Sequence, residues 1–245
     1  MNYNIEVNGL PVRAQFTEEN IGGIFLPLLR TLTDLQRRKG RRVLAMLAPP
    51  GAGKTTLAHF LRELSLSDPT LCPLTVIGMD GFHRRQEYLL THTTERDGRQ
   101  IPMVRVKGAP ETFDLECLRE RIRQVADGEA CAWPEYDRLL HDPVEGALRV
   151  VGDLVLLEGN YLLLDEDGWR DLHQFADYTV RILADREALR DRLVARKAAS
   201  GMPCEEAEQF VEFSDLANAD LCLSRSLPAD LTLVLQPDSS FVVQK

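Results

Sequence analysis

A glycine-rich segment with one lysine and two threonines carries the clearest chemical signal in this sequence. It reads Ala48-Pro49-Pro50-Gly51-Ala52-Gly53-Lys54-Thr55-Thr56, between an apolar run at 43–47 and a run of helical periodicity that begins at residue 57. Glycine lets a tight turn point several N–H groups at one anion, and a helix beginning near Lys54 adds its positive dipole end. Lys54 supplies a mobile positive charge, and the Thr55 hydroxyl suits Mg²⁺. The segment therefore predicts a phosphate-binding loop.

The backbone N–H groups that can bind phosphate are limited to part of this segment. Pro49 and Pro50 have no N–H, so the phosphate-binding donors must come from residues 51–56. The strict pattern begins with glycine where this sequence has Ala48, a residue that ends the strand and needs no positive φ. The predicted phosphate ligands of the loop are Gly51, Ala52, Gly53, Lys54, Thr55 and Thr56.

Two carboxylates end two other apolar runs. Asp80 ends the run at 74–80, and Glu158 ends the run that begins at residue 154. In open α/β sheets the ligand crevice lies at the carboxyl ends of the strands, which is where the phosphate loop also lies. Either carboxylate can serve Mg²⁺, directly or through water, or accept a proton from an attacking hydroxyl. The alternatives are that Asp80 caps a turn and that Glu158 is structural.

Positive charge on a moving phosphoryl group is the remaining requirement of phosphoryl transfer. The run at 185–199 has helical character and is rich in arginine. Arg192 and Arg196 are four residues apart and therefore share one face of that helix. They are candidates for this role, and a solvated helix face is the alternative.

Apolar periodicity predicts the elements that position these groups. Residues 3–16 alternate around Asn8-Gly9, which predicts a hairpin. Thr17-Glu18-Glu19-Asn20 predicts the start of a helix. An apolar stripe at helical spacing follows from Ile21 to Leu35, and Pro27 favours a regular helix that begins near residue 26. Further helices are predicted over 114–126, 185–199 and 205–216, and strands over 43–47, 74–80, 154–159, 178–183, 231–235 and 241–243.

Alternation of strands and helices predicts the α/β class, with a mostly parallel sheet covered on both faces. The polar residues 84–112 are interpreted as an irregular substrate cover, and residues 133–141 as a polar loop. We expect one domain over 1–245, with a hairpin and helix in 1–40, a substrate-covering insertion at 81–150 and lid helices at 185–216.

Composition limits the class of protein. The chain has 245 residues, 44% apolar residues, a net charge of −9 and five cysteines without metal-ligand spacing. The acidic balance argues against a nucleic-acid or membrane-surface partner. No run approaches membrane-spanning length, and Glu6 and Asn8 interrupt the place of a signal sequence. We expect a cytoplasmic protein with reduced thiols, and leave a homodimer open.

Several further segments occur in a fixed order. They are Met79-Asp80-Gly81-Phe82-His83, Lys107-Gly108-Ala109-Pro110-Glu111-Thr112-Phe113-Asp114, Pro134-Glu135-Tyr136-Asp137, Leu157-Glu158-Gly159, Asn218-Ala219 and Pro228-Ala229-Asp230-Leu231. With the phosphate loop they resemble the P-loop kinases that include uridine kinase, bacterial pantothenate kinase and phosphoribulokinase. Within that family the chain is most similar to bacterial nucleoside/nucleotide kinase family or fructose-transport-system kinase proteins.

The resemblance implies a P-loop NTPase fold, a three-layer α/β/α sandwich, and ATP-dependent phosphorylation of a small-molecule alcohol with Mg²⁺. It implies that Asp80 is the base, that Lys54 and Thr55 serve phosphate and Mg²⁺, and that Glu158 lies near the metal. It also implies that Arg192 and Arg196 close over the phosphate. Asn218 matches a segment that passes the adenine. The residues matching acceptor contacts are His83, Glu111, Tyr136, Arg138 and His141.

The acceptor itself stays open. Gly108 stands where uridine kinases carry a ribose-binding Asp, the segment from Lys107 to Glu111 is closer to pantothenate kinases, and His141 after Tyr136 resembles uridine kinases. The alternatives to a metabolite kinase are a nucleotide-binding regulator without chemistry and a GTPase-type switch. The second lacks its guanine-reading Asn/Thr-Lys-X-Asp element in this sequence.

Overall fold

A computed structural model of the chain describes residues 1–7, 10–47, 51–96, 98–137 and 140–244. The strands are β1 (Asn2–Val7), β2 (Leu10–Gln15), β3 (Arg42–Leu47), β4 (Leu74–Gly78), β5 (Thr93–Arg96), β6 (Arg99–Pro102), β7 (Cys131–Asp137), β8 (Asp142–Val150), β9 (Leu154–Gly159), β10 (Tyr178–Leu183), β11 (Leu231–Leu235) and β12 (Phe241–Val243). The α-helices are α1 (Glu18–Asn20), α2 (Leu26–Lys39), α3 (Lys54–Ser67), α4 (Gln86–Thr91), α5 (Leu115–Ala126), α6 (Arg186–Ala199), α7 (Cys204–Phe210) and α8 (Leu216–Ser224).

The main sheet has six strands in the order β12-β11-β10-β3-β9-β4. Neighbouring strands from β11 to β4 are parallel, and β12 is antiparallel to β11. This confirms the predicted α/β class and the mostly parallel sheet. The carboxyl ends of β3, β9 and β4 are adjacent, so the segments that follow these strands meet at one edge.

Both faces of this sheet are covered. Along β9, Leu154 and Leu156 belong to an apolar cluster with α2 and α3, whereas Val155 and Leu157 belong to a second cluster with α5. The alternation follows from the two-residue period of a strand. All six residues of β9 are buried, as expected for the centre of a three-layer structure.

The N-terminal segment confirms the predicted hairpin and the helix that follows it. Strands β1 and β2 pair antiparallel, and Asn8-Gly9 lies outside the described residues. The predicted helix start is confirmed, because the Thr17 hydroxyl caps α1, which continues through a π-helical turn at Ile21–Phe25 into α2. The regular α-helix begins at Leu26, as Pro27 indicated.

Asn20 joins this N-terminal segment to the far edge of the sheet. Its side chain is buried, donates from Nδ2 to the Phe241 carbonyl at 2.7 Å and accepts from the Phe241 N–H at 2.8 Å. Asn20→Ala leaves both buried backbone groups of Phe241 without these partners. We expect a loss of roughly 2 kcal/mol or more in the free energy of unfolding, measured in urea. Thr31→Ala, at an exposed site of α2, should change it by less than about 0.5 kcal/mol. Equal effects of the two substitutions would contradict this role.

The insertion is more regular than predicted. The prediction of irregular structure over 84–112 is wrong, because this segment contains α4 and the antiparallel pair β5–β6. The prediction of a loop over 133–141 is also wrong, because β7 and β8 form a hairpin. Pro134 obscured this strand in the sequence, and the pairing register shifts between Trp133 and Glu135 to accommodate it.

Two element ends also differ from the prediction. Strand β4 ends at Gly78, and Asp80 lies in a 3₁₀ turn at Met79–Phe82. The helix predicted over 205–216 consists of α7, a π-helical turn at Val211–Asp215, and α8, which extends to Ser224. Within the described residues, no helix is both long and apolar enough to span a membrane. All five cysteines are unpaired thiols.

Candidate active site

The phosphate loop leads directly into α3. Gly51 and Gly53 have φ of +84° and +79°, a left-handed region that favours glycine, and Lys54 is the first residue of the helix. Residues 48–50 lie outside the described residues. A Cβ at Gly51 would lie 3.0 Å from Leu193 Cγ of α6, so the loop is in contact with the predicted lid helix. Ala52 and Thr56 are buried beneath the loop.

Lys54, Thr55 and Glu158 form one cluster at the adjacent ends of β3 and β9. Thr55 Oγ1 donates to Glu158 Oε1 at 3.0 Å, and Lys54 Nζ lies 3.4 Å from Glu158 Oε2. Glu158 is 6% exposed, and its Oε2 lacks a hydrogen bond within the described structure. A buried carboxylate oxygen beside a hydroxyl and an ammonium group fits the hard oxygen ligands of Mg²⁺ and the charge of phosphate.

Asp80 lies close enough to this cluster to affect it electrostatically. Burial raises the pKa of Glu158, Lys54 opposes this shift, and the negative charge of Asp80 raises the pKa further. The turn that carries Asp80 is fixed by β7, since Trp133 Nε1 donates to the Gly78 carbonyl at 2.8 Å. A Cβ at Gly81 would lie 2.0 Å from the Pro134 carbonyl oxygen, so only glycine permits this approach. The Asp80 carboxylate therefore lies within electrostatic range of the Lys54–Glu158 cluster.

The raised pKa of Glu158 gives a pH prediction for the ligand-free protein. A carboxyl whose folded pKa exceeds its unfolded pKa stabilises the fold below the unfolded value, near 4.5, and loses that contribution as pH rises through the folded pKa. We expect the free energy of unfolding of the wild type, relative to Glu158→Gln, to fall over this interval. Urea unfolding at a series of pH values measures it.

The control for that titration is Thr31→Ala, at an exposed site of α2, because it removes no titratable group. The difference between this variant and the wild type should stay constant over the same interval. A constant difference for Glu158→Gln as well would show that the buried carboxyl does not titrate abnormally.

Three of the predicted acceptor residues form a connected group beyond Asp80. His83 Nδ1 lies 2.7 Å from the Asp80 carbonyl oxygen, and a carbonyl only accepts, so Nδ1 carries a proton. The His83 ring packs against Tyr136, with centroids 5.0 Å apart. Lys107 Nζ lies 5.0 Å from the centroid of the Tyr136 ring and donates to the His141 carbonyl at 2.8 Å. Lys107 thus connects the His141 backbone to Tyr136 and His83.

Of the two remaining predicted acceptor residues, the structure describes Glu111 but not Arg138. Glu111 accepts from Arg96 at 2.6 Å and from Thr94 at 3.3 Å, and it lines a cavity of about 600 Å³ together with Trp169 and Arg225. Arg138 lies outside the described residues.

The predicted lid arginines have partners on two other elements. Arg192 donates to Ser239 Oγ at 2.7 Å, in the turn between β11 and β12. Arg196 lies 3.8 Å from the buried carboxylate of Asp215. In this conformation Arg192 is engaged with Ser239, and Arg196 with Asp215.

Asn218 is found beside the acceptor segment. It is buried in α8, and its Nδ2 lies 3.9 Å from the position that a Cβ would take at Gly108. The Gly108 carbonyl in turn accepts from the Tyr161 hydroxyl at 2.6 Å. The expectation from the resemblance that this segment passes the adenine stays a prediction.

Comparison with known proteins agrees with this geometry. The chain is 40% identical over 243 residues to the "Uncharacterized protein YggC" of Escherichia coli K12, covering 98% of each chain. A crystal structure of a "putative fructose transport system kinase" from Silicibacter sp. TM1040 has 33% identity and a TM-score of 0.72, covering 84% of this chain and 98% of that one. A pantothenate kinase of Shewanella loihica is 24% identical, covering 82% and 69%.

The chain belongs to the P-loop kinase family that includes uridine kinase, bacterial pantothenate kinase and phosphoribulokinase. No family model matches the sequence. The members of this family are kinases, and its relatives act on small metabolites, so the resemblance found in the ordered motifs is confirmed.

Some residues of this P-loop kinase site were missed in the sequence. Tyr161 is buried, three residues after Glu158, and its hydroxyl fixes the acceptor segment at Gly108. Lys107 was noted within its motif, but no role was assigned to it. The described residues contain no group of three or more His, Cys, Asp or Glu side chains that could hold a metal.

Proposed function

We propose that the protein is an ATP-dependent kinase that transfers the γ-phosphate of Mg-ATP to a hydroxyl of a small metabolite. The observation that carries this proposal is the electrostatic proximity of Asp80 to the cluster of Lys54, Thr55 and Glu158. This arrangement puts a candidate base beside a phosphate cradle. Family membership supports the class of reaction.

The proposal assigns a task to each group of the site. The N–H groups of residues 51–56 bind the β- and γ-phosphates, and Lys54 neutralises their charge. The Thr55 hydroxyl and Glu158 would hold Mg²⁺, with Asp80 near enough to contribute; the ion would supply additional positive charge at the phosphates. Asp80 accepts the proton of the acceptor hydroxyl, whose oxygen forms a bond to the γ-phosphorus while the bond to the ADP oxygen breaks.

The remaining predicted residues complete the proposed site. Residues 81–150 cover the acceptor, with His83 and Tyr136 forming an aromatic wall beside Asp80 and with Glu111 and His141 at its margin. Arg138, outside the described residues, is kept as a predicted acceptor ligand. Arg192 and Arg196 move from Ser239 and Asp215 to the transferring phosphate when the lid closes. Asn218 belongs to the segment that passes the adenine, and its Nδ2 lies 3.9 Å from the position of a Cβ at Gly108.

A metabolite library tests this function. The protein is incubated with Mg²⁺, ATP labelled in its γ-phosphate, and pools of sugars, nucleosides, vitamins and hydroxy acids. We expect the label in one phosphorylated alcohol, with ADP formed in equal amount and only when that alcohol is present. ATP consumption without a labelled alcohol, or binding of nucleotide with no turnover across the library, would contradict the proposal and favour a regulator.

A further inference from the structure

Lys107 has an unusual environment for a cation beside a candidate acceptor site. Its Nζ donates to Gln86 Oε1 at 2.7 Å and to the His141 carbonyl at 2.8 Å. It also lies 5.0 Å from the centroid of the Tyr136 ring. Both hydrogen-bond acceptors are neutral, and they use two of the three N–H groups of the ammonium.

The charge of Lys107 has no direct counterion in the part of the chain that the structure describes, since no carboxylate oxygen there lies within 4.0 Å of Nζ. Asp142 is near enough to act electrostatically, but its Oδ1 accepts from the Gln86 backbone N–H at 2.6 Å. Burial lowers the pKa of Lys107, with Asp142 opposing the shift. A half-buried ammonium held by neutral groups retains the capacity to bind an anion.

The position of Lys107 relates it to the reacting end of the site. The Tyr136 ring contacts both Lys107 and His83. His83 is in turn hydrogen-bonded to the Asp80 carbonyl. Gly108, the next residue along the chain, is the neighbour of Asn218. Lys107 is therefore one aromatic ring away from the turn that carries the candidate base.

The carbonyl that binds Lys107 is held in an uncommon conformation. His141 has φ of +54°, in the left-handed region that residues other than glycine rarely adopt.

The local charge around Lys107 also favours an anionic ligand. Residues 81–112 contain six Lys or Arg and four Asp or Glu, a net charge of +2 in a chain of net charge −9. The segment over the candidate acceptor site is therefore positive against an acidic protein.

We propose that the acceptor alcohol carries a carboxylate or phosphate group, and that this group binds the Lys107 ammonium while the hydroxyl faces Asp80. The inference rests on the proposed kinase function and narrows its substrate class. It assigns to Lys107 the selection of anionic over neutral alcohols, with Tyr136 as the surface between the two ends of the acceptor.

Side-chain NMR of lysine tests this site without requiring turnover. The chain has only five lysines, so protein labelled with ¹³C and ¹⁵N in lysine gives few signals, and Lys107→Arg assigns the relevant one. With Mg-ADP bound, the probes are pairs that differ in the anionic group: D-glycerate with glycerol, pantothenate with panthenol, and ribulose 5-phosphate with ribulose. The first two pairs report on carboxylates and the third on phosphate.

We expect the Lys107 Nζ signal to shift with at least one anionic probe, which should bind at least 10-fold more tightly than its neutral partner. Lys107→Met should abolish this ratio, and Lys107→Arg should retain at least part of it. Lys39→Met, at an exposed position of α2, should leave it unchanged. Circular dichroism of the variants separates loss of the anion site from loss of the fold.

The outcomes distinguish this inference from the kinase proposal. Failure of every anionic probe to shift Lys107, or equal binding of both members of each pair, overturns the anion site. If Lys107→Met phosphorylates a neutral alcohol at the same rate as the wild type, the anion site is also overturned. The proposed kinase function is then retained. A Lys107 response that depends on the anion, together with no phosphate transfer in the metabolite library, supports the anion site and overturns the kinase.

Discussion

Asp80→Asn is expected to lower phosphorylation of the acceptor by about 10²–10⁴-fold, the usual contribution of a positioned general base. Asparagine keeps the shape of the side chain but cannot accept the proton of the attacking hydroxyl. Since the phosphate-binding groups lie in residues 51–56, the affinity for Mg-ATP should change by no more than a few-fold. Single-turnover transfer and nucleotide titration measure the two quantities separately.

The control for this variant is Asp34→Asn, an exposed aspartate of α2. It removes the same charge from the protein far from the loop and should keep full activity. Normal transfer by Asp80→Asn would remove Asp80 as the base. A large loss of Mg-ATP affinity in the same variant would instead assign Asp80 mainly to the metal.

Lys54→Met is expected to impair both catalysis and stability. The ammonium lies 3.4 Å from Glu158, with side-chain exposures of 13% and 7%, so its removal leaves a buried carboxylate without its cation. Breaking a buried pair from one side costs about 3–5 kcal/mol, an upper value here because Glu158 can take up a proton. Loss of the Lys54 charge at the phosphates should lower the rate of phosphoryl transfer by about 10²–10³-fold.

The double variant Lys54→Met/Glu158→Gln separates these two effects. Removing both charges leaves no unpaired ion in the site, so the free energy of unfolding should recover most of its loss. Transfer should remain at the level of Lys54→Met or below. Recovery of transfer together with stability would show that Lys54 acts only as a structural partner of Glu158. Urea unfolding and initial rates on the same preparations provide the comparison.

Local patterns were sufficient to predict the elements that carry the cradle. The apolar runs that form β4 and β9 were found because central parallel strands are continuously apolar. The positions of Asp80 and Glu158 at the ends of these runs predicted that both carboxylates lie at the same edge of the sheet. Neither the 3₁₀ turn under Asp80 nor the contact of Gly81 with Pro134 has a local signature, because the second depends on residues 53 positions apart.

The acceptor side was harder to predict, because its elements are polar and its contacts are distant in sequence. Lys107 meets His141, and Asn218 meets Gly108, only after the β7–β8 hairpin and α8 have packed. The hairpin itself was hidden by Pro134, which the register shift accommodates. The proposed acceptor site therefore depends on tertiary contacts that no periodicity in the sequence reveals.

The most direct test of the central claim is a crystal structure with Mg-ADP, aluminium fluoride and the alcohol that the metabolite library identifies. The account predicts that the β-phosphate lies on residues 51–56 and that the fluoride group faces Asp80. The acceptor hydroxyl should lie about 2.6–3.2 Å from the Asp80 carboxylate. Nucleotide phosphates bound elsewhere, or an Asp80 carboxylate turned away from the fluoride group, would contradict it.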